Sequence, residues 1–230
     1  MKRIYCLSIL LLGCLFFLAG SCKKKSDPDY TAVNEQIVAQ WERVSDSMLA
    51  AVRVPGMIIG IWAPDRGLTW VRGKGKSNVA AGEKPDPGMK FRMGSLTKTY
   101  TYTVLLQLVD EDSLSLTDKL SRFMPDFPKA DSITMTMLCN HTSGIFDYTE
   151  TTLFQVNLMV DPHKVYAGQD LIKMVKTEPF YFSPGSGFRY SNTNTIIAGR
   201  IIEMITGQPV GIEIQNRLLS PLHLSNTIYL

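Results

Sequence analysis

The chain has 230 residues, 45% hydrophobic and 20% charged, enough to bury one or two cores. Its formal charge is +3, but without residues 1–21, which carry Lys2 and Arg3, it falls to +1, and without Lys23, Lys24 and Lys25 to −2. That balance excludes a basic nucleic-acid-binding face, so no nucleic acid is expected as a partner.

The N-terminus reads as a targeting segment. Lys2 and Arg3 precede a short apolar run, Ile9 to Leu18, and small residues follow it, so residues 1–21 are expected to be an export signal peptide rather than a membrane span. Leu18-Ala19-Gly20-Ser21-Cys22 is similar to a bacterial lipobox. The resemblance implies that Cys22 becomes the lipidated first residue, with residues 22–30 as a tether. The protein would then be exported and lipid-anchored to a bacterial membrane, facing periplasm or exterior. Of the four cysteines, Cys6, Cys14 and Cys22 fall in this segment. Cys139 alone remains, so no internal disulfide is expected in the folded part. It follows Met137-Leu138 in an apolar segment and reads as core. His141, His163 and His223 lack metal-ligand spacing, so no metal or other cofactor is expected.

Residues 31–52 predict an amphipathic helix packed on the core, with Val33, Ile37, Trp41, Val44, Met48 and Val52 at helical spacing. Val54-Pro55-Gly56 ends it. Met57 to Trp62 reads as a buried strand and Leu68 to Arg72 as a second one, joined by the turn Pro64-Asp65-Arg66-Gly67 into a hairpin. A Gly-, Lys- and Pro-rich loop, 73–88, leads to Arg92-Met93-Gly94-Ser95-Leu96-Thr97-Lys98. The residues after Lys98 read as a helix that ends at Asp110-Glu111-Asp112.

Ser95 and Lys98 share one face at the start of that helix, because positions three apart are neighbours. A serine hydroxyl needs an adjacent base to act as a nucleophile. A lysine can be that base when its pKa is lowered. The competing reading makes Ser95 a simple helix cap. A capping box would place Glu or Gln at position 98, and Lys98 there has the wrong sign for the helix dipole.

Further on, Met135 to Asn140 predicts a short helix, and His141-Thr142-Ser143-Gly144 a turn held by a structural His141. Residues 150–178 alternate between helical and irregular. Pro184, Gly185 and Gly187 introduce Phe188-Arg189-Tyr190-Ser191-Asn192. If this segment is extended, Tyr190 and Asn192 project to one side and can face the Ser–Lys pair together. A tyrosine beside a cationic lysine can serve as a base, and a carboxamide can orient Lys98 or a substrate amide. Asn192 or Ser191 is also expected to cap the following helix. That helix carries Ile196, Ile197, Ile201, Ile202, Met204 and Ile205 and stops at Gly207. A last helix is expected at about 210–219.

Over roughly residues 35–230 the chain resembles the penicillin-recognising serine hydrolases, within them the serine DD-peptidase, class C β-lactamase and esterase group. Ser95-Leu96-Thr97-Lys98 matches the family's S-x-x-K motif and Tyr190-Ser191-Asn192 its Y-x-N motif. Val54-Pro55-Gly56, His141-Thr142-Ser143-Gly144 and Pro221-Leu222 fit as supporting text. The resemblance implies an α/β (α+β) fold, β-lactamase/DD-peptidase-like, with an antiparallel sheet flanked by helices and a mostly helical subdomain, over residues 31–230. It implies Ser95 as acylated nucleophile, Lys98 as its helper, Tyr190 as general base and Asn192 as holder of substrate and Lys98. The expected substrate is a D-alanyl peptide of peptidoglycan, cleaved as by a D-Ala-D-Ala carboxypeptidase. The alternatives are a β-lactam or ester as small-molecule substrate, or a non-catalytic wall-binding lipoprotein. The family's third motif, K-T-G or H-x-G on a strand, has no counterpart after Asn192. A C-terminally truncated sequence is therefore expected, lacking the last strands, poorly stable and weakly active by itself.

Overall fold

A computed structural model describes residues 29–229, which fall into two compact units, residues 29–91 and 92–229. The proposed signal, Cys22 and the lysines after it lie outside the described residues.

In the first unit, helix α1 (Thr31–Val52) ends at Arg53, which takes a left-handed conformation with φ 54°. Strands β1 (Gly56–Ala63) and β2 (Leu68–Gly75) follow, longer than the apolar runs predict, and β1 has no fully buried residue, contrary to the expectation of a buried strand. They form an antiparallel hairpin in which Gly56 faces Gly75 and Ala63 faces Leu68. The Pro64–Arg66 turn closes it, with Gly67 at φ 61°. Glu42 on α1 receives Trp70 Nε1 at 3.1 Å and Arg72 Nε at 3.1 Å, and also binds Lys74. Trp41 packs on the buried Trp70, ring centres 5.7 Å apart.

The apolar stripe of α1 is not fully covered, contrary to the expectation of a helix packed on the core. Ser45 is its buried residue, while Val33, Val44, Met48 and Val52 are about half exposed. A two-stranded hairpin is narrower than this stripe, so packing reaches Trp41 and Ser45 but not the outer positions.

The second unit is helical. It contains α2 (Thr97–Asp110), α3 (Met135–Cys139), α4 (Thr152–Val160), α5 (Gly168–Val175), α6 (Asn192–Thr206) and α7 (Val210–Ile214). The segment after α7, Gln215–Leu219, is a π-helical turn, so the expected last helix changes its winding midway. Helix α6 is central and packs on α2, α3, α5 and α7. Its Ile197, Ala198, Ile201 and Ile202 are fully buried. β-Branched residues are modest helix formers, so burial of this face, rather than propensity, sustains the helix. Gly207 ends it at φ 71°, donating its N–H to Glu203 O. Val104, Leu105 and Leu108 of α2, with Leu120, Ile133, Met135, Leu138 and Ile145 from the connection and α3, complete the core. Cys139 lies at the edge of this core, and burial pushes its thiol up to about 11. Among the described residues no helix is long and apolar enough to cross a membrane.

Candidate active site

Gly94 takes φ 57°, a conformation suited to glycine, and turns the chain into a 3-10 turn, Gly94–Leu96, that runs directly into α2. Ser95 therefore sits in the turn ahead of the α-helix, and Lys98 is the helix's second residue. The capping reading of Ser95 fails, because neither helical segment here has a side-chain cap. Ser95 Oγ instead receives Lys98 Nζ at 3.2 Å and Tyr190 Oη at 2.8 Å. Lys98 Nζ also donates to Asn192 Oδ1 at 2.7 Å and lies 5.0 Å from the centre of the Tyr190 ring. Four residues chosen from their types and spacing thus meet at one point, although Ser95 and Tyr190 are 95 positions apart.

The expected geometry of Tyr190-Ser191-Asn192 holds in part. Ser191 is extended, with φ −142° and ψ 124°, so its neighbours turn to the same side. Asn192, however, is already the first residue of α6. The expected cap is absent. Ser191 occupies the N-cap position without a capping side chain, and its buried hydroxyl points to Phe146 O at 3.4 Å.

Partial burial by itself would raise the Tyr190 phenol. The adjoining Lys98 ammonium and the hydrogen bond to Ser95 outweigh burial and hold the phenol below its usual value. A cleft of about 520 Å³ opens beside this cluster, lined by Lys98, Thr101, Tyr148, Tyr166, Asn192 and Thr195 among others.

Sequence reasoning placed His141 as a structural residue, without its partners. Its backbone is left-handed at φ 59°. Its Nδ1 receives Ser191 N–H at 3.2 Å and faces Asn194 Nδ2 at 3.2 Å. The Asn194 amide is oriented by the buried Ser143 hydroxyl, which donates to its Oδ1 at 2.7 Å. Two N–H donors on Nδ1 require an acceptor there, so the ring is neutral with its proton on Nε2. Its other face carries Tyr190, ring centres 4.6 Å apart. The adjacent Gly144, at φ 73°, has no room for a side chain, since a Cβ would meet Phe182 O at 2.3 Å. No periodic or capping pattern marks Ser143 or Asn194. Nor does any such pattern mark Asp147, whose Oδ2 accepts from Asn192 Nδ2 at 2.8 Å.

Burial, then the Lys98 charge, holds His141 below the usual histidine value, and Asp147 counters only part of this. Because the unfolded chain titrates near pH 6.5, it binds more protons than the folded one from there downward. Stability is therefore expected to fall as pH drops through 6.5 and below it. Urea midpoints at pH 7.5 and 5.0 test this. His141→Asn, which tolerates a left-handed backbone, is expected to flatten the difference, and an unchanged difference would exclude His141 as its source.

A helical segment opening on Ser-x-x-Lys, with Tyr190 brought onto it from the extended segment ahead of α6 and Asn192 from the first residue of that helix, defines a class of protein, and comparison with known families agrees. The Beta-lactamase family model matches residues 41–229. The chain belongs to this family, the penicillin-recognising serine hydrolases. It is 33% identical over 139 residues to penicillin-binding protein 4* of Bacillus subtilis, covering 60% of this chain and 30% of that protein. Its fold is similar to a D-stereospecific amidohydrolase from Streptomyces sp., with TM-score 0.70 and 30% identity, covering 86% of this chain and 56% of the other. It is also similar to D-amino acid amidase from Ochrobactrum anthropi, with TM-score 0.68 and 28% identity, covering 76% and 46%. The chain spans less than half the length of the curated relatives it matches.

Proposed function

We propose that the protein is a serine hydrolase that forms an acyl-enzyme on Ser95 and cleaves D-alanyl peptides of the cell wall. The observation that carries this reading is the convergence of Tyr190 Oη and Lys98 Nζ on Ser95 Oγ. With both neighbours protonated, Oγ only accepts. Loss of the Tyr190 proton reverses that bond, so Ser95 donates to a phenolate, and the Lys98 charge favours that phenolate. Transfer of the serine proton to Tyr190 then accompanies attack of Oγ on the carbonyl carbon. The Ser95 N–H lies in the first turn of its helical segment, where it has no intrahelical partner, and it donates to the developing oxyanion. As the C–N bond breaks, Tyr190 returns its proton to the leaving amine. Water then hydrolyses the ester by the same steps in reverse order. Asn192 holds Lys98 and the substrate amide.

The likeness to a D-stereospecific amidohydrolase and a D-amino acid amidase supports a D-configured amide substrate. The lipobox-like text at Cys22 supports a wall-facing, lipid-anchored location with residues 1–21 removed, 22–30 as tether and the hydrolase domain beginning at 31.

The test is labelling of the full-length natural protein with a fluorescent penicillin, alongside release of D-alanine from a D-Ala-D-Ala peptide. Label on Ser95, its loss in Ser95→Ala and its recovery in the membrane fraction unless Cys22 is replaced by Ala are expected. A folded protein that never acylates at Ser95 rejects the hydrolase. Label without D-alanine release moves the substrate to a β-lactam or ester.

A further inference from the structure

Asp147 is 4% exposed, and its carboxylate accepts four hydrogen bonds. Oδ1 takes the Thr149 N–H at 3.0 Å and the Thr149 hydroxyl at 2.9 Å. Oδ2 takes the Asn192 backbone N–H at 3.0 Å and its Nδ2–H at 2.8 Å. These partners are neutral, so burying the carboxylate is costly in a way that hydrogen bonds must offset.

The two oxygens have separable tasks. Oδ1 caps the short Tyr148–Glu150 turn. A serine or asparagine serves equally well as such a cap, so capping does not account for a buried carboxylate. Oδ2 lies at the N-terminus of the 15-residue α6, where negative charge is favoured. There it does something a neutral side chain does not. An ionised carboxylate only accepts, whereas an Asn amide presents a donor on one side and an acceptor on the other. Contact with Asp147 commits the Asn192 donor to the carboxylate and leaves Oδ1 facing Lys98 Nζ at 2.7 Å. The reversed amide would set its N–H group against the Lys98 ammonium and its carbonyl oxygen against the Asp147 carboxylate, two repulsive contacts in place of two hydrogen bonds.

We propose that Asp147 is a positioning residue, which sets the amide orientation of Asn192 and, through it, the place of Lys98 Nζ beside Ser95 Oγ. This rests on the acyl-enzyme reading above. Asp147 touches neither nucleophile nor base. Its side-chain hydrogen bonds into the site come from Asn192, beside a small charge effect on the Tyr190 phenol, and this makes the assignment testable by non-additivity.

The experiment measures the acylation rate of Ser95 by a fluorescent penicillin in the full-length natural protein and in Asp147→Ser, Asn192→Ala and the double variant. Serine keeps a hydroxyl that can cap the turn and removes the bond to Asn192. Asp147→Ser is expected to slow acylation about ten- to hundredfold, the worth of a hydrogen bond to a charged group. In the Asn192→Ala background the same change is expected to cost less than about twofold, because the amide it positions is gone. Thr149→Val, which removes a contact of the other oxygen, is expected to stay within about twofold of the wild-type rate. Melting curves establish that each variant folds, and Asp147→Asn enters the cycle if Asp147→Ser does not fold. Multiplicative effects in the double variant, or a wild-type rate in Asp147→Ser, overturn the assignment while leaving the acyl-enzyme reading intact. A wild-type protein that is not labelled overturns both.

Discussion

Tyr190→Phe is expected to slow acylation of Ser95 by about 10²–10⁴-fold, the range for removing a general acid–base group, while leaving the fold intact. The hydroxyl is the part of this side chain that meets Ser95, at 2.8 Å. The ring is held by other contacts: His141 at 4.6 Å between ring centres and Lys98 Nζ at 5.0 Å from its centre. Phenylalanine keeps both and removes only the hydroxyl that meets Ser95. The residue is 42% exposed, so losing its hydroxyl leaves no buried partner stranded. The pH profile adds a second sign. Lys98 and Ser95 hold the phenol below its ordinary value against the opposing effects of burial and of Asp147, so the wild-type rate is expected to rise with pH as Tyr190 deprotonates. The rise should vanish in Tyr190→Phe. Stopped-flow or gel-based labelling over a pH series reads both. A rate within twofold of wild type would remove Tyr190 as the base and leave Lys98 to act alone.

Leu105→Ala is expected to destabilise the helical unit by about 2–5 kcal/mol, the range for deleting a buried leucine, lowering the melting temperature by roughly 10 °C. Leu105 is fully buried on α2, two turns beyond Lys98. Its neighbours in the core include rigid β-branched residues of α6, Ile197, Ile201 and Ile202, which cannot readily close around a cavity. Thermal and urea unfolding followed by circular dichroism measure the loss. A change below 1 kcal/mol would mean that the core between α2 and α6 collapses onto the gap.

Much of the framework was legible because it is local. The 31–52 stripe marked α1, the Pro–Gly turn between two β-rich runs marked the hairpin, and isoleucines at helical spacing ending in Gly207 marked α6. Ser95 and Lys98 were legible as a pair because helix geometry links positions three apart. Tyr190 and Asn192 were legible as partners because an extended residue separates them. The exposure of Val44 and Met48 was not legible, since a stripe records what a helix could bury and not how wide its partner is. The capping expectations at Ser95 and Ser191 failed for a related reason. A hydroxyl at a helix start takes whichever acceptor or donor the fold brings closest, and here those come from Lys98, Tyr190 and Phe146.

Sequence alone therefore determined the elements, the residue types of the site and the membership that Ser95-x-x-Lys98 and Tyr190-x-Asn192 announce. Tertiary structure decided how the buried polar groups pair: the neutral tautomer of His141, the amide directions of Asn192 and Asn194, and the place of Asp147 behind them. Those choices depend on laying residues 141–149 against the first turn of α6, about 45 to 53 positions away. A buried polar group must find a partner, but which partner it finds is a property of packing between distant segments, and no local pattern encodes it.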